Sequence, residues 1–362
     1  MSIKCQFFLF QISGGIIIFE ELHMQHKLSN GPLLDEKGNL NEAGYAFDLV
    51  REYKRSDIKA GKSRIKEWDY YFINDDEYGV ALTIDDNSYM GMASVSVLDF
   101  KKKVEYTKSY IKWFTNGKVG FPSSSKDGDI SLKSKNYDMF FENKNGKRHL
   151  VCMLKNLAKG QDFYCDIQLE ATNSGSMVIA TPFKKKKHFY YNQKINLLKA
   201  TGYFKFGELK HQLGENSLGV LDWGRGVWTY KNTWYWSSLN AVYQGHRIGF
   251  NLGYGFGDTS NASENMFFFD DKVFKLEDVK FNIPNNKGKL DFMSPWTFTS
   301  EKGDIDMKFE PIIDRYANTN ALIIQSKQHQ VFGYFSGSIE VEGQKYSFEN
   351  VLGFAEMVTN RW

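Results

Sequence analysis

Residues 234–254 read WYWSSLNAVY-QG-HRIGFNLGY, in which Gln244-Gly245 separates two runs of strand length. Both runs contain aromatic side chains, which favour strands, and a two-residue connection with glycine is typical of a tight hairpin. The stretch therefore predicts a pair of antiparallel strands. Side chains alternate between faces along a strand, so in the first run one face is predicted to carry Trp234, Trp236, Ser238 and Asn240.

The same arrangement recurs along the chain. Turn-forming residues separate further runs of strand length at Asn143-Lys144-Asn145-Gly146, Asp270-Asp271-Lys272, Ser300-Glu301-Lys302-Gly303 and Glu342-Gly343. Strands at this spacing predict an antiparallel sandwich or barrel, and no long helical pattern lies between them, which excludes Rossmann and TIM-barrel folds. Only residues 41–53 carry a partial helical stripe, which predicts a short helix there.

A length of 362 residues predicts two domains. We expect residues 1–23 to be a dispensable extension, 24–67 a polar helical or irregular segment, 68–182 the first β-barrel-like domain and 183–362 the second. Met24 is the expected start, because the apolar run before it lacks a cleavage site and is too short to span a bilayer. Secretion, with this run as a signal peptide, is the less favoured alternative. Lys184–Lys187 indicates a solvated loop or a protected sheet edge near the domain boundary.

Composition narrows the possible partners. A formal net charge of +3 disfavours nucleic acid, which requires a concentrated basic face. The three cysteines indicate reduced thiols and a cytoplasmic protein, although a disulfide between Cys152 and Cys165 stays open. His149 and Cys152 lack a second ligand pair, so we expect no metal; we also expect no cofactor and no transmembrane segment. The motifs of serine hydrolases and zincins are missing, and the oligomeric state is not predicted.

Half of the eight tryptophans lie between residues 223 and 236. A face with two tryptophans, a hydroxyl and an amide suits a pocket for an extended, mostly apolar ligand, but the tryptophans fill a barrel end equally well. The run from Gly253 to Gly257 is no phosphate loop, because no helix follows; its glycines let a side chain or ligand approach the backbone. The predicted ligand-binding residues are Trp228, Tyr230, Trp234, Trp236, Asn240, Asn251 and Asp258.

Carboxyl groups near these aromatic residues are candidate acids, because desolvation raises the pKa of a carboxyl group. Asp222, Asp258 and Glu264 are the candidates, and His246 lies on the neighbouring strand. Each also has an ordinary interpretation: Asp222 pairs with Arg225 or caps a turn, Asp258 forms an Asx-turn, and His246 is a plain strand residue.

Several motifs, in this order, resemble a bacterial family known as a domain of unknown function, DUF2804. They are Lys66-Glu67-Trp68-Asp69-Tyr70-Tyr71, Leu221 to Trp228, Gly249 to Gly255, Glu264-Asn265 and Gly353-Phe354-Ala355-Glu356. More distantly, the layout resembles two-domain lipocalin-like proteins that include carotenoid hydratases. The resemblance implies an all-β protein of two lipocalin-like antiparallel barrels or half-barrels, without a settled activity.

Three functions follow as hypotheses. The first is binding of a hydrophobic or amphipathic small molecule in a lipocalin-like cavity. The second, implied by the hydratases, is a hydratase, isomerase or cyclase in which Asp222 protonates an alkene, aromatic faces stabilise the cation, and Glu264 or His246 positions water. The third is a structural or interaction role with filled barrels. An aromatic-lined pocket that reaches Asp222 or Glu264 would favour the first two.

Overall fold

The computed structural model describes residues 24–321 and 324–361, so the predicted dispensable extension 1–23 lies outside the described residues. The described residues contain two 3₁₀ turns, Arg55–Asp57 and Lys62–Arg64, and no α-helix. The helix predicted for residues 41–53 is wrong. This segment holds two short strands, Gly44–Ala46 and Arg51–Glu52, and the first of them pairs with residues 178–180, so sheet pairing overrides the partial helical pattern.

The strands of the N-terminal part are β1 (Gly31–Pro32), β2 (Gly44–Ala46), β3 (Arg51–Glu52), β4 (Ile65–Asn74), β5 (Tyr78–Asp86), β6 (Met90–Asp99), β7 (Val104–Trp113), β8 (Ile130–Lys133), β9 (Tyr137–Lys144), β10 (Lys147–Ala158), β11 (Gln161–Glu170), β12 (Met177–Pro182), β13 (Phe189–Phe206), β14 (Leu209–Gln212) and β15 (Leu218–Val227). Those of the C-terminal part are β16 (Lys231–Tyr243), β17 (His246–Tyr254), β18 (Met266–Phe269), β19 (Lys272–Lys275), β20 (Lys280–Asn282), β21 (Asn285–Asn286), β22 (Lys289–Leu290), β23 (Trp296–Thr299), β24 (Ile305–Ala321), β25 (Ile324–Val341) and β26 (Gln344–Arg361).

These strands form two large curled antiparallel sheets, as the predicted fold class requires. The first has the order β7-β6-β5-β4-β15-β13-β11-β10-β9-β8, with β12 and β14 also on β13 and β2 on β12. The second has the order β19-β18-β17-β16-β26-β25-β24-β23-β20. Two small ribbons, parallel β1-β3 and antiparallel β21-β22, complete the described strands. The chain changes sheet between Val227 and Lys231, later than the boundary predicted near residues 182–191, because β13 and β15 pair with each other and with the first sheet.

The predicted hairpins are confirmed, and the backbone conformation of their turns explains why they form. Gln244-Gly245 joins β16 to β17, and both residues have left-handed φ angles, 51° and 82°. Glu342-Gly343 joins β25 to β26 with φ angles of 52° and 75°. Two successive left-handed residues match the twist of antiparallel strands, so these short connections fix the pairing.

Each sheet curls around its own apolar core, and the two sheets meet through their other faces. The first core includes Trp223 and Phe141, and the second includes Trp296 and Phe335. Between the sheets lie two further apolar clusters, one around Trp236 and Phe354 and one around Trp228, Tyr190 and Phe256. The face of β16 that carries Trp234 and Trp236 therefore turns toward the other sheet, while Leu239 and Tyr235 face the second core.

The two described cysteines are Cys152 and Cys165. They are register partners on β10 and β11, both are buried, and both are free thiols. Burial raises the pKa of the Cys152 thiol. The described part of the chain contains no helix of the length and apolar character needed to cross a membrane.

Candidate functional site

Strand β15 alternates between the first core and the joint between the sheets. Trp223 and Arg225 point into the first core, where Arg225 Nη1 lies 3.0 Å from Asp69 Oδ1. Asp222 points the other way, toward the second sheet. The predicted pairing of Asp222 with Arg225 is wrong, because side chains three positions apart on a strand lie on opposite faces.

Gly224, on the same face as Asp222, makes room for an indole ring. A Cβ at this position would lie 1.9 Å from Cζ2 of Trp68, which far exceeds any tolerable overlap. Trp68 lies opposite Gly224 on β4 and extends its ring over the glycine toward the second sheet. The glycine of the Asp-Trp-Gly-Arg-Gly motif thus brings an aromatic ring next to Asp222.

Three side chains of the first sheet form a polar group on this face. Lys194 is the register partner of Asp222, and its Nζ lies 3.3 Å from Asp222 Oδ1. Asn192 Nδ2 donates to Asp222 Oδ1 at 2.6 Å and to the carbonyl of Trp223 at 2.9 Å. All three side chains are buried.

The second sheet contributes Glu264 from the loop between β17 and β18. Glu264 Oε2 lies 3.8 Å from Lys194 Nζ, and Asn251 Nδ2 donates to the carbonyl of Glu264 at 2.8 Å. Trp236 Nε1 in turn donates to Asn251 Oδ1 at 2.7 Å. A Cβ on Gly253 would lie 2.6 Å from Glu264 Oε1, so the glycine lets this carboxyl group lie against the strand. Burial raises the pKa of Glu264.

Glu356 is a further buried carboxyl group at the joint. It is the register partner of Trp236, and Trp234 Nε1 donates to its Oε1 at 3.1 Å. Gln330 Nε2 donates to its Oε2 at 3.0 Å. Burial raises the pKa of Glu356 to about 7, although the hydrogen bond from Trp234 opposes the shift. We call Asp222, Glu264, Glu356 and Lys194 the acid cluster.

Aromatic rings lie directly beside the acid cluster. We call Trp68, Tyr190, Trp228, Trp234 and Phe256 the ring cluster. Phe256 is at its centre, with ring centroids 4.7 Å from Tyr190, 4.8 Å from Trp228 and 5.1 Å from Trp234. Lys194 Nζ lies 3.4 Å from Tyr190 Oη and 4.3 Å from the Trp236 ring centre, so the two clusters touch. Trp68 and Trp234 are only half-buried, so the ring cluster reaches the protein surface.

Phe256 lies on the loop between β17 and β18, whereas Trp68, Tyr190 and Trp234 lie on strands and Trp228 directly follows β15. Its neighbours Gly255 and Gly257 have φ angles of 89° and 79°, and the loop continues without regular structure to Asn265. The ring is 6% exposed. The centre of the ring cluster is therefore filled by a side chain from a loop and not by one from a paired strand.

The structure brings together most of the predicted site residues. Asp222, Glu264, Trp228, Trp234, Trp236 and Asn251 all lie at the joint between the sheets. Asn240 lies nearby but bonds to the backbone of the first sheet. Its Oδ1 accepts a hydrogen bond of 2.8 Å from the amide of Leu197, where the pairing of β13 is irregular. This bond gives Asn240 a structural partner on the first sheet.

Three predicted residues lie outside this site. His246 begins β17 beside the hairpin turn, is half-exposed and bonds Asp270 at 2.8 Å. Its predicted place beside the acids is wrong, because the turn puts it at the far end of its strand. Tyr230 is 49% exposed, with the Arg64 guanidinium over its ring. Asp258 is exposed and accepts from the amide of Ser260, the Asx-turn that was its ordinary interpretation.

Lys194, Glu356, Tyr190 and Phe256 were not predicted as site residues. Glu356 and Trp68 did lie in motifs of the family resemblance, and this was the one feature of the sequence that could have pointed to them. Tyr190, Asn192 and Lys194 lie at alternate positions of β13 and therefore share one face. The sequence does not show that this face meets the second sheet, so the three residues were not recognised.

Two clefts stand out on the described surface, of about 330 and 540 Å³. The smaller includes Asp75 and His211, the larger includes Arg148 and Glu170, and neither is lined by the acid or ring cluster. No group of three His, Cys, Asp or Glu in the described residues is arranged to hold a metal ion.

Comparison with known proteins identifies the family. Residues 24–362 match the family model described as a domain of unknown function, DUF2804. The chain belongs to this family. The match confirms the resemblance of the sequence motifs and covers the described residues. No curated protein matches the chain with significant similarity.

Two solved structures are similar to this DUF2804 chain. A Nitrosomonas europaea protein provisionally named AttH has a TM-score of 0.52 and 12% identity, covering 85% of this chain and 97% of that one. Kievitone hydratase from Nectria haematococca has a TM-score of 0.48 and 13% identity, covering 87% and 97%. The first similarity confirms the lipocalin-like fold, and at such identity the fold carries no activity.

Proposed function

We propose that this protein binds a small, mostly apolar molecule with one polar end at the joint between its two half-barrels. The ring cluster would hold the apolar part, and the acid cluster would hold the polar end. The observation that carries the proposal is the burial of three carboxyl groups and an ammonium directly beside five aromatic rings.

A purely structural joint does not require these charges. Removing ionised groups from water is costly, and well-packed apolar side chains of similar volume join two sheets at least as stably. Buried ionisable groups with displaced pKa values are more frequent at functional sites than elsewhere. Both Glu264 and Glu356 have raised pKa values, which supports a site rather than simple packing.

Entry of the ligand would displace Phe256. This ring fills the centre of the ring cluster, and its loop between Gly255 and Gly257 is free of strand pairing. An apolar ligand that replaces the phenyl ring restores the contacts of the four other rings, so the cost of the displacement is the exposure of Phe256 itself. The half-buried Trp68 and Trp234 mark the outer edge, through which the ligand would enter.

Intrinsic tryptophan fluorescence with a panel of lipids, terpenoids and aromatic alcohols tests the proposal. We expect at least one class to change the emission saturably, because four of the eight tryptophans lie at the joint. Trp234→Phe should weaken binding, whereas Trp113→Phe, on exposed β7, serves as the matched control. The absence of any saturable change across the panel would contradict the proposal.

A second candidate function is acid catalysis on an alkene. It is favoured by Glu356, whose pKa of about 7 leaves it partly protonated at neutral pH. The acid would transfer its proton to one alkene carbon, water would add to the resulting cation, and the proton lost from that water would return to the carboxylate. Removal of a general acid slows such a step by about 10²- to 10⁴-fold, so Glu356→Gln should abolish turnover and retain binding. Full activity of Glu356→Gln would exclude this role.

A further inference from the structure

The acid cluster contains more carboxyl groups than cations. Among the described residues, Lys194 is the cation within 4 Å of the cluster's carboxylates, at 3.3 Å from Asp222 and 3.8 Å from Glu264. Glu356 has no described ion pair. The side chains that donate hydrogen bonds to it are neutral, namely Trp234, Gln328 and Gln330.

Two further cations lie near enough to influence the acids, but other acceptors hold them. Lys275 Nζ donates to Ser263 Oγ and to the carbonyls of Asn265 and Leu276, at 2.7 to 2.9 Å. Arg315 Nη1 donates to Ser96 Oγ at 2.8 Å. Neither forms an ion pair with the acid cluster among the described residues, so within this part of the chain Glu356 has no cation in direct contact.

An independent observation comes from two asparagines that flank Lys194 on β13. Asn192 and Asn196 are fully buried, and the side-chain oxygen of each has no hydrogen-bond donor within the described part of the protein. The orientation of the Asn192 amide is fixed, because its nitrogen donates to two acceptors, Asp222 Oδ1 and the carbonyl of Trp223. Buried carbonyl oxygens are normally satisfied, so the Asn192 oxygen, beside Asp222, is available to a donor that enters the joint.

We propose that the polar end of the ligand is a protonated amine that binds between Glu356 and Asn192. This inference rests on the proposed function and specifies its ligand class. An ammonium group supplies both missing elements, a positive charge for the unpaired carboxylate and N–H donors for the asparagine oxygen.

The surrounding rings suit the same group. An ammonium within about 6 Å of an aromatic face is attracted to it, and Lys194 already lies 4.3 Å from the ring centre of Trp236. Trp234, whose indole nitrogen contacts Glu356, and Tyr190, which contacts Lys194, offer further aromatic surface beside the acids. An alkyl or arylalkyl part attached to the amine would then replace Phe256.

The test compares 2-phenylethylamine, which is protonated at pH 7.5, with 2-phenylethanol, its neutral counterpart of the same ring and chain. Affinities are measured by tryptophan fluorescence and calorimetry for the wild type, Glu356→Gln and Glu349→Gln, the last a control at an exposed glutamate. We expect the wild type to bind the amine about tenfold more tightly than the alcohol. The preference should disappear in Glu356→Gln and persist in Glu349→Gln.

The outcomes separate this inference from the proposed function. Equal or tighter binding of the alcohol, or a full preference for the amine in Glu356→Gln, would overturn the amine assignment while small-molecule binding stands. Failure of both compounds while other apolar compounds bind would also overturn it. If no compound of any class binds, both proposals fail. Should Glu356→Gln not fold, the wild-type comparison of the two compounds still decides.

Discussion

Lys194 and Asp222 are direct partners in the antiparallel ladder of β13 and β15, and their side chains meet at 3.3 Å on the face turned toward the second sheet. Glu264 approaches the same ammonium from the second sheet at 3.8 Å. One lysine therefore links acids of both half-barrels, and the predictions below follow from this joint.

Removal of the buried ammonium should destabilise the protein strongly. Lys194→Met leaves Asp222 and Glu264 without their cation, and breaking a buried ion pair in this way costs about 3–5 kcal/mol. Urea unfolding measures the change. The double variant Lys194→Met/Asp222→Asn should lose less than the sum of the two single changes, because the uncompensated charge is also removed.

Lys101→Met provides the matched control for Lys194→Met. Lys101 pairs with Glu77 at 3.0 Å, but both side chains are largely exposed. Its loss should cost less than about 1 kcal/mol. A cost at Lys194 as small as that at Lys101 would contradict the buried pair.

Glu356 should make the unfolding free energy depend on pH. Burial raises its pKa from 4.5 to about 7 in the folded protein, so the folded state binds the proton more tightly than the unfolded chain. The stability that this group contributes is complete below pH 4.5 and is lost as pH rises toward 7. This pKa shift corresponds to a loss of up to about 3 kcal/mol in the free energy of unfolding.

Glu356→Gln removes this titration. Its stability relative to the wild type should rise between pH 4.5 and 7 and then level off, as measured by chemical denaturation across this range. Glu349→Gln, at an exposed position, should follow the wild type. If the difference in unfolding free energy between Glu356→Gln and the wild type does not change with pH, Glu356 has the same pKa in the folded and the unfolded protein.

Gly224→Ala should damage both the fold and the site. The added Cβ would overlap the Trp68 ring, and overpacking of this kind costs about 1–3 kcal/mol. Trp68 must move, so its emission should change as well. Gly214→Ala, where the added atom meets nothing within 4 Å, is the control. Equal stability of the two variants would be inconsistent with the close approach of Trp68 to β15.

Phe256→Ala should strengthen ligand binding, because it removes the side chain that the ligand has to displace. Exposing the displaced Phe256 ring to water costs about 1.5–3 kcal/mol, so its removal should raise the affinity by about 10- to 100-fold. Phe292→Ala, which truncates a half-buried ring packed on Trp296 and His329, should leave affinity unchanged. A similar loss of affinity in both variants would argue against the displacement of Phe256.

Much of the fold could be predicted from sequence because its signals are local. Pairs such as Gln244-Gly245 and Glu342-Gly343 adopt two left-handed residues, which defines the hairpins. The period of two also placed Trp234 and Trp236 on one face. The alternation does not show which face of the strand lies inside a half-barrel. In the structure, the face with Trp234 and Trp236 meets the other sheet instead of lining a cavity.

The site was less predictable because its members meet only through long-range pairing. Lys194 and Glu356 belong to different sheets. Nothing in the sequence around Lys194 distinguishes it from other strand residues, and the only signal for Glu356 was its place in a motif of the family resemblance. The prediction for His246 was wrong for a related reason: a residue on the neighbouring strand of a hairpin can still lie far from the joint. Residues 41–53 failed because pairing with β12 overrode a partial helical stripe.

The most direct test of the central claim is ¹⁹F NMR of the fluorotryptophan-labelled protein, titrated with a ligand from the fluorescence panel. Resonances are assigned with single Trp→Phe variants. We expect Trp68, Trp228, Trp234 and Trp236, which lie at the joint, to shift saturably. Trp223 and Trp296, buried in the two separate cores, should stay unchanged. Shifts at Trp223 or Trp296 without shifts at the joint would place the ligand inside a half-barrel and contradict the account.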